Sequence, residues 1–327
     1  MLRTVIARGE HFALATPFRT SRGTKTMADV VTVEIGAGGY VGRGEGVPYP
    51  HYGESLPAAL AAIDQVRPAL EAGIGRDEVQ AVMPAGAARN AVDCALWDLE
   101  AKCTGRSVVA MLGQAPIAPT VTAMTVGLDT PTVMAQAARH LAAVPLIKVK
   151  VDRGDPAAQI RAVRAAAPRP RMIVDPNESW TMAEVEGLQD LLLHLSVDLL
   201  EQPLPANDDA ALEGFRPLVP IAADESLHVA DDVARLAARY QVANIKLDKT
   251  GGLTAALALA GAAEAAGLQL MIGSMISTSL SIAPALVVAQ RCRFVDLDGP
   301  LWLAHDRAGG VRGAGGVLSP PSPGFWG

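Results

Sequence analysis

Two lysines, Lys148 and Lys150, interrupt the otherwise apolar run LIKVKV at residues 146–151. Residues i and i+2 of a β-strand point to the same face, so both ammonium groups are expected to project side by side. Such groups are unstable among apolar side chains unless they are paired. Acid–base chemistry is one explanation, with the charge of Lys148 lowering the pKa of Lys150 toward neutrality. The alternative is an edge strand facing water, although the flanking Ile and Val indicate burial on both faces.

Charged residues also end several other apolar runs of the chain. They are Asp175 (in RMIVD), Glu201 (VDLLE), Asp224 (VPIAAD), Lys246 (VANIKL), and Asp296 with Asp298 (RFVDLD). Any single aspartate of this kind is explained equally well as a helix N-cap or a turn residue. Independent caps would not select the same position in every run, so the recurrence favours a shared functional site.

Three of these residues are carboxylates on consecutive runs, namely Asp175, Glu201 and Asp224. Carboxylates that lie side by side repel one another unless a cation neutralises them. Oxygen-only ligands suit a hard divalent ion that keeps room for water or substrate, and the absence of histidine at these positions argues against zinc. The sequence therefore predicts a Mg²⁺ site.

The elements that must position these residues form a regular series of short apolar runs and Ala-rich helical stretches. The runs begin at residues 121, 146, 171, 197, 219, 242, 268 and 293, at intervals of 22 to 26 residues. Eight such units are typical of an α/β fold of the (β/α)8 TIM-type barrel class, whose active sites lie at the C-terminal ends of the strands. An open doubly wound sheet is the alternative, but eight evenly spaced strands favour closure.

In a ring of eight strands, Lys150 and Lys246 lie on the second and sixth and therefore face each other. A divalent ion on a substrate carboxylate would stabilise the enolate formed when the α-proton leaves. One lysine would remove that proton and the other would return one to the opposite face, which predicts racemisation or epimerisation rather than elimination. Asp296 and Asp298, across the pocket, would bind a substrate ammonium group; alternatively, one of them caps the following turn.

Residues 1–115 have a different, α+β character. Residues 27–46 (MADVVTVEIGAGGYVGRGEG) predict a β-hairpin with a Gly-rich turn. Residues 87–104 predict a helix with a buried stripe that includes Ala91, Ala95 and Leu99.

The composition of the chain limits the classes of function and partner that are expected. The 327 residues have a formal net charge of −6 and no Lys/Arg-rich tail, so neither nucleic acid nor an anionic membrane is an expected partner. Three scattered cysteines form no disulfide framework or metal motif, and no run has the length of a membrane span or signal peptide. The expectation is a cytoplasmic protein.

The chain resembles the enolase superfamily, in its muconate-lactonizing subgroup, through five motifs: KVK (148–150), VDPNESW (174–180), LLEQPLP (199–205), ADES (223–226) and NIKLDKTGG (244–252). A sixth segment, PAGAARNAVDCALWDLEAK (84–102), resembles the helix of that family's capping domain. The resemblance implies a (β/α)7β barrel at residues 118–302, with its eighth helix lost or modified. It also implies an α+β capping domain at 1–117 that the C-terminal tail, 303–327, completes.

The resemblance also implies roles for individual residues. Asp175, Glu201 and Asp224 would bind Mg²⁺, Lys150 would serve the (R)-configured α-carbon, and Lys246 the (S)-configured one. The Asp-x-Asp pair Asp296 and Asp298 is similar to that of dipeptide epimerases, which hold the free α-amino group of the dipeptide.

Substrate-selecting positions follow from the same resemblance. The composition of residues 16–26 (TPFRTSRGTKT) predicts a flexible loop. Arg22 in this loop is similar to the arginine that pairs with the glutamate side chain in L-Ala-D/L-Glu epimerases. A solvated surface charge is its alternative, and Arg19 and Lys25 are close enough to compete for the role. Thr125 and Met275 match substrate-lining positions, the latter through backbone groups. Residues 48–55 (PYPHYGES) resemble a second specificity loop whose contacts are not legible from the sequence.

The predicted function is that of a Mg²⁺-dependent dipeptide epimerase that interconverts L-Ala-L-Glu and L-Ala-D-Glu in murein peptide metabolism. The family often forms homo-oligomers, and the small dipeptide is the expected ligand. An N-succinylamino acid racemase or an o-succinylbenzoate synthase is the enzymatic alternative, which the two aspartates disfavour because those substrates carry no ammonium group. A non-enzymatic peptide-binding barrel would require a missing lysine or metal ligand, and none is missing.

Overall fold

The structure, a computed structural model that describes residues 3–327, begins with an antiparallel sheet covered by helices. Strands β1 (Thr4–Thr20), β2 (Gly23–Ala37) and β3 (Tyr40–Gly46) pair in the order β1-β2-β3. A 3₁₀ turn and four helices follow: Pro50–Tyr52, then α1 (Leu56–Ala72), α2 (Arg76–Val82), α3 (Ala87–Thr104) and α4 (Val108–Met111). The hairpin predicted at 27–46 and the helix predicted at 87–104 are confirmed.

Alternate glycines of β3 let helix α3 lie directly on the sheet. Gly42, Gly44 and Gly46 all face the helix, and a Cβ added at Gly44 would lie 2.1 Å from the carbonyl oxygen of Ala91. Larger side chains at these positions would force the helix away from the sheet. The close approach explains why α3 is buried along most of its length.

The end of the first hairpin differs from the prediction of a flexible loop at residues 16–26. Strand β1 extends to Thr20 and β2 starts at Gly23, so only two residues form the turn. The two strands pair again from Phe18 onward after an irregularity that begins at Ala13. Cross-strand pairing of a Thr-rich segment outweighs the local Gly and Pro signals here.

Strand β4 (Thr120–Val121) leads into eight parallel strands that pair in chain order. They are β5 (Met124–Val126), β6 (Leu146–Lys150), β7 (Arg171–Asp175), β8 (Leu199–Glu201), β9 (Ile221–Ala223), β10 (Val242–Ile245), β11 (Gln269–Gly273) and β12 (Phe294–Asp296). The first and last approach each other where the amide of Ala123 donates to the carbonyl oxygen of Val295 at 2.8 Å. The α/β barrel architecture is confirmed, but its first strand begins at Met124 rather than at 121, because β4 pairs elsewhere.

The helices that alternate with these strands are α5 (Pro131–His140), α6 (Pro156–Ala166), α7 (Met182–Gly187), α8 (Gln189–His194), α9 (Val233–Leu236), α10 (Leu247–Thr250), α11 (Leu253–Ala265) and α12 (Ser279–Ala289). Further 3₁₀ turns span Asp209–Leu212 and Ala230–Asp232. One apolar side chain from each strand, or from the residue beside it, fills the base of the barrel: Ala123, Leu146, Ile173, Leu199, Ala222, Val242, Met271 and Phe294. Within residues 3–327, no helix combines the length and apolar character needed to cross a membrane.

After β12, the eighth barrel strand, the chain makes a 3₁₀ turn, Gly299–Trp302, where a regular barrel would have its eighth helix. Two tail strands, β13 (Arg312–Ala314) and β14 (Val317–Ser319), form a small sheet with β4. The C-terminal residues return to α3, where the Trp326 indole donates to the carbonyl oxygen of Cys94 at 3.1 Å. The domain limits 1–117, 118–302 and 303–327 stay predictions, and residues 1 and 2 lie outside the described residues.

An ion network around the buried Glu45 joins the N-terminal sheet to the barrel and the tail. Arg307 contacts Glu10 at 2.7 Å and Glu45 at 2.9 Å. Glu45 is fully buried and also accepts from the backbone amide of Thr278 at 2.8 Å. Breaking such a pair leaves an uncompensated buried charge, at a cost of about 3–5 kcal/mol. The network therefore fixes the sheet on the barrel, above the C-terminal ends of its strands.

Candidate active site

The predicted charged residues lie together at the C-terminal ends of the barrel strands. Lys150 ends β6, Asp175 ends β7 and Glu201 ends β8. Asp224 and Lys246 are the first residues after β9 and β10. All five are buried, as are most residues of the strands that they end or follow. The even βα repeat therefore places these side chains at one rim.

Lys148 lies beneath this rim as an ion-paired residue. Its ammonium nitrogen is 3.0 Å from Asp175 Oδ2, and it donates to Glu201 Oε1 and Asp296 Oδ2, both at 2.8 Å. Burial lowers the pKa of Lys148, but the charges of Asp296, Glu201 and Asp175 outweigh burial and raise the pKa well above its usual value. Three carboxylates thus surround and neutralise Lys148. The expected influence of Lys148 on Lys150 stays a prediction.

Lys150 and Lys246 each hold one carboxylate, on opposite sides of the barrel mouth. Lys150 donates to Asp175 Oδ2 at 2.6 Å, and Lys246 donates to Asp224 Oδ2 at 2.6 Å. Burial raises the pKa of Asp175, but Lys150 and Lys148 outweigh burial and bring the pKa to about 2. Burial lowers the pKa of Lys246, whereas Asp224 raises it, and the net pKa lies above the usual value.

The three carboxylates supply the donor set of a hard divalent cation. Asp175, Glu201 and Asp224 are essentially inaccessible to solvent, and burial together with the charge of Asp175 raises the pKa of Glu201 to about 8. Added positive charge would therefore stabilise the ionised form of Glu201. In residues 3–327, no three acidic, His or Cys side chains already converge as a metal cage, and the Lys148 ammonium lies between Asp175 and Glu201. Oxygen-only carboxylates of this kind fit Mg²⁺ in ligand chemistry.

Three polar residues that the sequence reasoning missed hold the carboxylates in place. Lys249, one turn beyond Lys246, donates to Asp224 Oδ1 at 2.6 Å. Asn244 donates to Glu201 Oε1 at 2.9 Å, and the side chain of Gln202 accepts from the backbone amide of Asp224 at 2.8 Å. A signal existed for Asn244, which is a polar residue in an apolar strand, two positions before Lys246 and therefore on the same face.

A cavity of about 660 Å³ lies between the rim and the N-terminal sheet. Eight predicted site residues line it: Arg22, Thr125, Lys148, Lys150, Lys246, Met275, Asp296 and Asp298. The three predicted metal ligands do not line it, and two of them, Asp175 and Asp224, accept hydrogen bonds from Lys150 and Lys246, which do. The N-terminal residues of the lining come from the hairpin end and from residues 49–52, in the second predicted specificity loop.

Asp298 is a buried carboxylate at the cavity wall. Its Oδ2 accepts from the backbone amide of Thr125 at 3.0 Å and from the Trp302 indole at 3.1 Å. Burial, reinforced by the charge of Asp296, raises the pKa of Asp298 to about 6. Asp296 itself pairs with Lys148, and within residues 3–327 its Oδ1 has no hydrogen-bond partner. Among residues 3–327, no cation forms an ion pair with Asp298.

Arg22 is paired within the protein at the cavity edge. It contacts Glu178 at 2.7 Å and makes a short contact with the buried Glu225. His51 also lies 2.9 Å from Glu178. Glu178 and its neighbour Asn177 have left-handed backbone φ angles of 65° and 46°, a conformation that is uncommon for residues other than glycine. The sequence reasoning missed both glutamates, and whether Arg22 contacts substrate stays a prediction.

Comparison with known proteins identifies the family. The N-terminal domain of mandelate racemase and muconate lactonizing enzyme matches residues 2–113, and the enolase C-terminal domain-like family matches residues 132–325. The chain belongs to the enolase superfamily. The resemblance drawn from the lysine and carboxylate motifs is thus confirmed over both parts of the chain.

Within the superfamily, the chain is similar to proteins that are named as epimerases and racemases. It is 48% identical to an L-Ala-D/L-Glu epimerase of Escherichia coli, over 93% of this chain and 96% of that protein. It is 41% identical to an N-acetyl-D-glutamate racemase of a Pseudoalteromonas species, over 91% of this chain and 95% of that protein. These relatives are isomerases that act on amino acid derivatives, and the chain is an enzyme of that class.

Two solved structures share this fold. One, from Agrobacterium tumefaciens, is an enolase family member with homology to dipeptide epimerases, described with bound sodium and L-Ala-L-Glu. It superposes with a TM-score of 0.97 at 49% identity, over 99% of this chain and 100% of that chain. The other is a dipeptide epimerase from Enterococcus faecalis, complexed with Mg and L-Leu-L-Tyr. Its TM-score is 0.91 at 30% identity, over 98% of both chains.

Proposed function

We propose that the protein is a Mg²⁺-dependent dipeptide epimerase that interconverts L-Ala-L-Glu and L-Ala-D-Glu. The observation that carries the proposal is the pairing of two lysines across one cavity. Lys150 and Lys246 come from strands four apart in a ring of eight and line the same cavity. A planar carbon held between them can lose a proton to one lysine and gain a proton from the other.

Asp175, Glu201 and Asp224 would hold the Mg²⁺ ion. When bound, the ion supplies positive charge that stabilises negative charge developing on the substrate carboxylate. Lys148 and Lys249 orient Glu201 and Asp224 through hydrogen bonds of 2.6–2.8 Å. The ammonium groups therefore lie fixed beneath the cavity floor before the reaction begins, which is the preorganisation that favours developing charge.

The proton transfers belong to the two rim lysines. The lysine that enters as a neutral amine takes the α-proton of the second residue, and the opposite lysine, as an ammonium, donates a proton to the other face. Lys150 would act on the (R)-configured carbon and Lys246 on the (S)-configured one. The enzyme ends each turnover with the two protonation states exchanged, and the substrate has gained and lost one proton.

The remaining predicted residues would orient the dipeptide. The α-ammonium of the first residue would bind at Asp298 and Asp296, beside Thr125, and Met275 would face the dipeptide backbone. Arg22 would lie near the side chain of the second residue. This arrangement favours a dipeptide over an N-acylated amino acid, which has no cation for the buried charge of Asp298. We further propose a cytoplasmic role in the metabolism of murein peptides.

Proton NMR in D₂O tests the proposal directly. With Mg²⁺ and L-Ala-L-Glu, we expect loss of the glutamate α-proton signal and appearance of L-Ala-D-Glu. N-acetyl-L-glutamate serves as the comparison substrate and should exchange more slowly. Faster exchange of N-acetylglutamate would favour the racemase alternative, whereas no exchange of either substrate would contradict the two-lysine assignment.

The double variant Asp296→Asn with Asp298→Asn separates substrate recognition from metal binding. We expect it to lose turnover of L-Ala-L-Glu while Mg²⁺, measured by calorimetry, still binds. Unchanged turnover would mean that the ammonium group binds elsewhere.

A further inference from the structure

Helix α3 of the N-terminal part lies against the barrel segment that follows strand β10. Lys246 is the first residue after β10, the single-turn helix α10 comes next, and Gly251 and Gly252 lead into α11. A Cβ added at Gly251 would meet the guanidinium of Arg89, a residue of α3. A Cβ added at Gly252 would likewise meet the carboxyl group of Asp93. The two glycines therefore let side chains of α3 approach the backbone beside α10 directly.

Buried hydrogen bonds from the N-terminal part hold both ends of α10. Near its start, Oδ1 of the buried Asp248 accepts from the side-chain amide of Asn90 at 2.7 Å and from the backbone amide of Val47 at 2.9 Å. At its end, the Arg89 guanidinium donates to the carbonyl oxygen of Thr250 at 2.6 Å. A hydrogen bond from a charged donor is among the stronger ones in a protein. The N-terminal part thus fixes α10, although α10 itself belongs to the barrel.

The position of Lys246 depends on the turn of α10. The carbonyl oxygen of Lys246 accepts from the backbone amides of Lys249 and Thr250, both at 3.0 Å. The turn therefore holds the backbone from which the Lys246 side chain extends. A single isolated turn is not stable in water, because its few hydrogen bonds do not offset the entropy lost in forming it. The contacts from Arg89 and Asn90 contribute the stabilisation that the turn lacks.

The lysine on the opposite side of the cavity has no such connection to α3. Within residues 3–327, the hydrogen bonds of residues 150–155 reach only other barrel residues. The amide of Val151, for example, donates to the carbonyl oxygen of Asp175 at 3.2 Å. The N-terminal part therefore holds the segment of one proposed base, Lys246, and not that of the other, Lys150.

We infer that Asp248 is a positioning residue, through which helix α3 sets the place of the Lys246 ammonium relative to the α-carbon of the substrate. This assignment rests on the proposed function and deepens it, because it makes proton transfer at the (S)-configured carbon depend on the N-terminal part. Asp248 does not line the cavity, so it acts through Lys246 rather than on the substrate. The segment 84–102 then has a task in the chemistry as well as in the packing of the two parts.

The test compares the initial rates of α-proton exchange in D₂O for L-Ala-L-Glu, whose (S) carbon would face Lys246, and for L-Ala-D-Glu, whose (R) carbon would face Lys150. Asp248→Ala removes the acceptor of two hydrogen bonds. It should lower kcat for exchange of L-Ala-L-Glu about 10- to 100-fold more than for L-Ala-D-Glu, because a shift of about 1 Å in a reacting group has an effect of that size. KM should stay unchanged, since no contact with substrate is lost. Asp248→Asn keeps an acceptor oxygen and should restore most of the wild-type ratio.

Thr254→Val is the matched control, because it removes another hydrogen bond between α3 and the barrel, the 2.9 Å bond from the Trp97 indole to the Thr254 hydroxyl on α11. It should leave the ratio of the two exchange rates unchanged. Partial unfolding cannot mimic the expected result, because it lowers both rates by the same factor. If Asp248→Ala does not fold, Arg89→Lys loosens the other end of α10 and must shift the ratio in the same direction.

Two outcomes would overturn the inference while leaving the epimerase assignment intact. One is an unchanged ratio in Asp248→Ala, or in Arg89→Lys where that variant takes its place. The other is an equal shift of the ratio in Thr254→Val, which would show that any loosening of α3 has the same effect. Failure of the wild type to exchange either dipeptide would instead refute the proposed function, and the inference with it.

Discussion

Asp298 combines a stability cost with a proposed binding role, and the cost follows from the structure. Burial and the neighbouring Asp296 raise the pKa of Asp298 from 3.8 to about 6. The difference of about 2 units corresponds to about 3 kcal/mol, since one unit is about 1.4 kcal/mol. Folding disfavours the ionised carboxylate by roughly this amount, and a bound substrate ammonium group would offset it.

The sign of the pH dependence follows from the same shift. Between pH values of about 4 and 6, the folded protein keeps the Asp298 proton that the unfolded chain has lost, so stability falls as pH rises. Above about pH 6 the full penalty is present. Asp298→Asn removes the charge but keeps an oxygen that can accept from Thr125 and Trp302. In urea unfolding at pH 7.5 without added metal, we expect this variant to gain up to about 3 kcal/mol.

The same substitution should impair binding. Loss of one charge-assisted hydrogen bond is expected to weaken L-Ala-L-Glu by about 10- to 100-fold. Calorimetric titration with an equilibrated mixture of both epimers measures affinity without net turnover. N-propionyl-L-glutamate, which lacks the ammonium group, should not lose affinity when Asp298 is replaced.

Asp296→Asn is the matched control, because Asp296 lies 2.8 Å from the Lys148 ammonium. Removing this buried partner should destabilise the protein at pH 7.5, the opposite of the effect expected at Asp298. An Asp298→Asn protein that is less stable than wild type at pH 7.5, or that binds L-Ala-L-Glu equally well, would refute the reasoning.

Three further predictions concern the lysine pair, the metal ligands and the packing of the N-terminal part. Lys150→Ala should slow α-proton exchange more for one epimer of L-Ala-Glu than for the other, and Lys246→Ala should show the reverse; equal residual rates would contradict the assignment. Glu201→Gln should reduce the rise in melting temperature that Mg²⁺ produces in wild type, as differential scanning fluorimetry would show, because one carboxylate ligand is lost. Gly44→Ala should lower the free energy of unfolding by about 1–3 kcal/mol, since its Cβ would meet the Ala91 carbonyl oxygen; an unchanged urea midpoint would disprove the close packing.

The barrel and its rim were predictable from the sequence because both depend on local repeats. A steady βα interval sets the strand ends, so the positions of Lys150, Asp175 and Glu201 followed from counting. The strand period of two also placed Lys148 on the face of Lys150. Where local alternation was weak, prediction failed: β1 mixes polar and apolar residues along an edge of the sheet and was not foreseen.

Ion pairs between residues far apart in the chain could not be predicted from the sequence. The contacts from Arg22 to Glu178 and Glu225 join residues 156 and 203 positions apart, and no periodicity relates them. Likewise, only the folded structure shows that Arg22 is paired, because Arg19 and Lys25 have similar charge and lie three residues away. The neutralisation of Lys148 required the barrel to bring Asp296 beside it.

The ion network around Arg307 determines how the cavity exchanges its contents. Moving the whole N-terminal sheet away from the barrel would break the pair of the buried Glu45 with Arg307. The hairpin end contacts the barrel through Arg22, through a 3.4 Å hydrogen bond from Ser21 to the Asn177 carbonyl oxygen, and through a 3.1 Å hydrogen bond from the Leu128 amide to the Arg19 carbonyl oxygen. We therefore expect substrate entry and product release to displace the hairpin end rather than the whole sheet. The hairpin end, which we propose selects the substrate side chain, is also a different part of the chain from the barrel lysines that we propose move protons. Exchanging hairpin ends between relatives should thus transfer specificity without rebuilding the chemistry of the barrel.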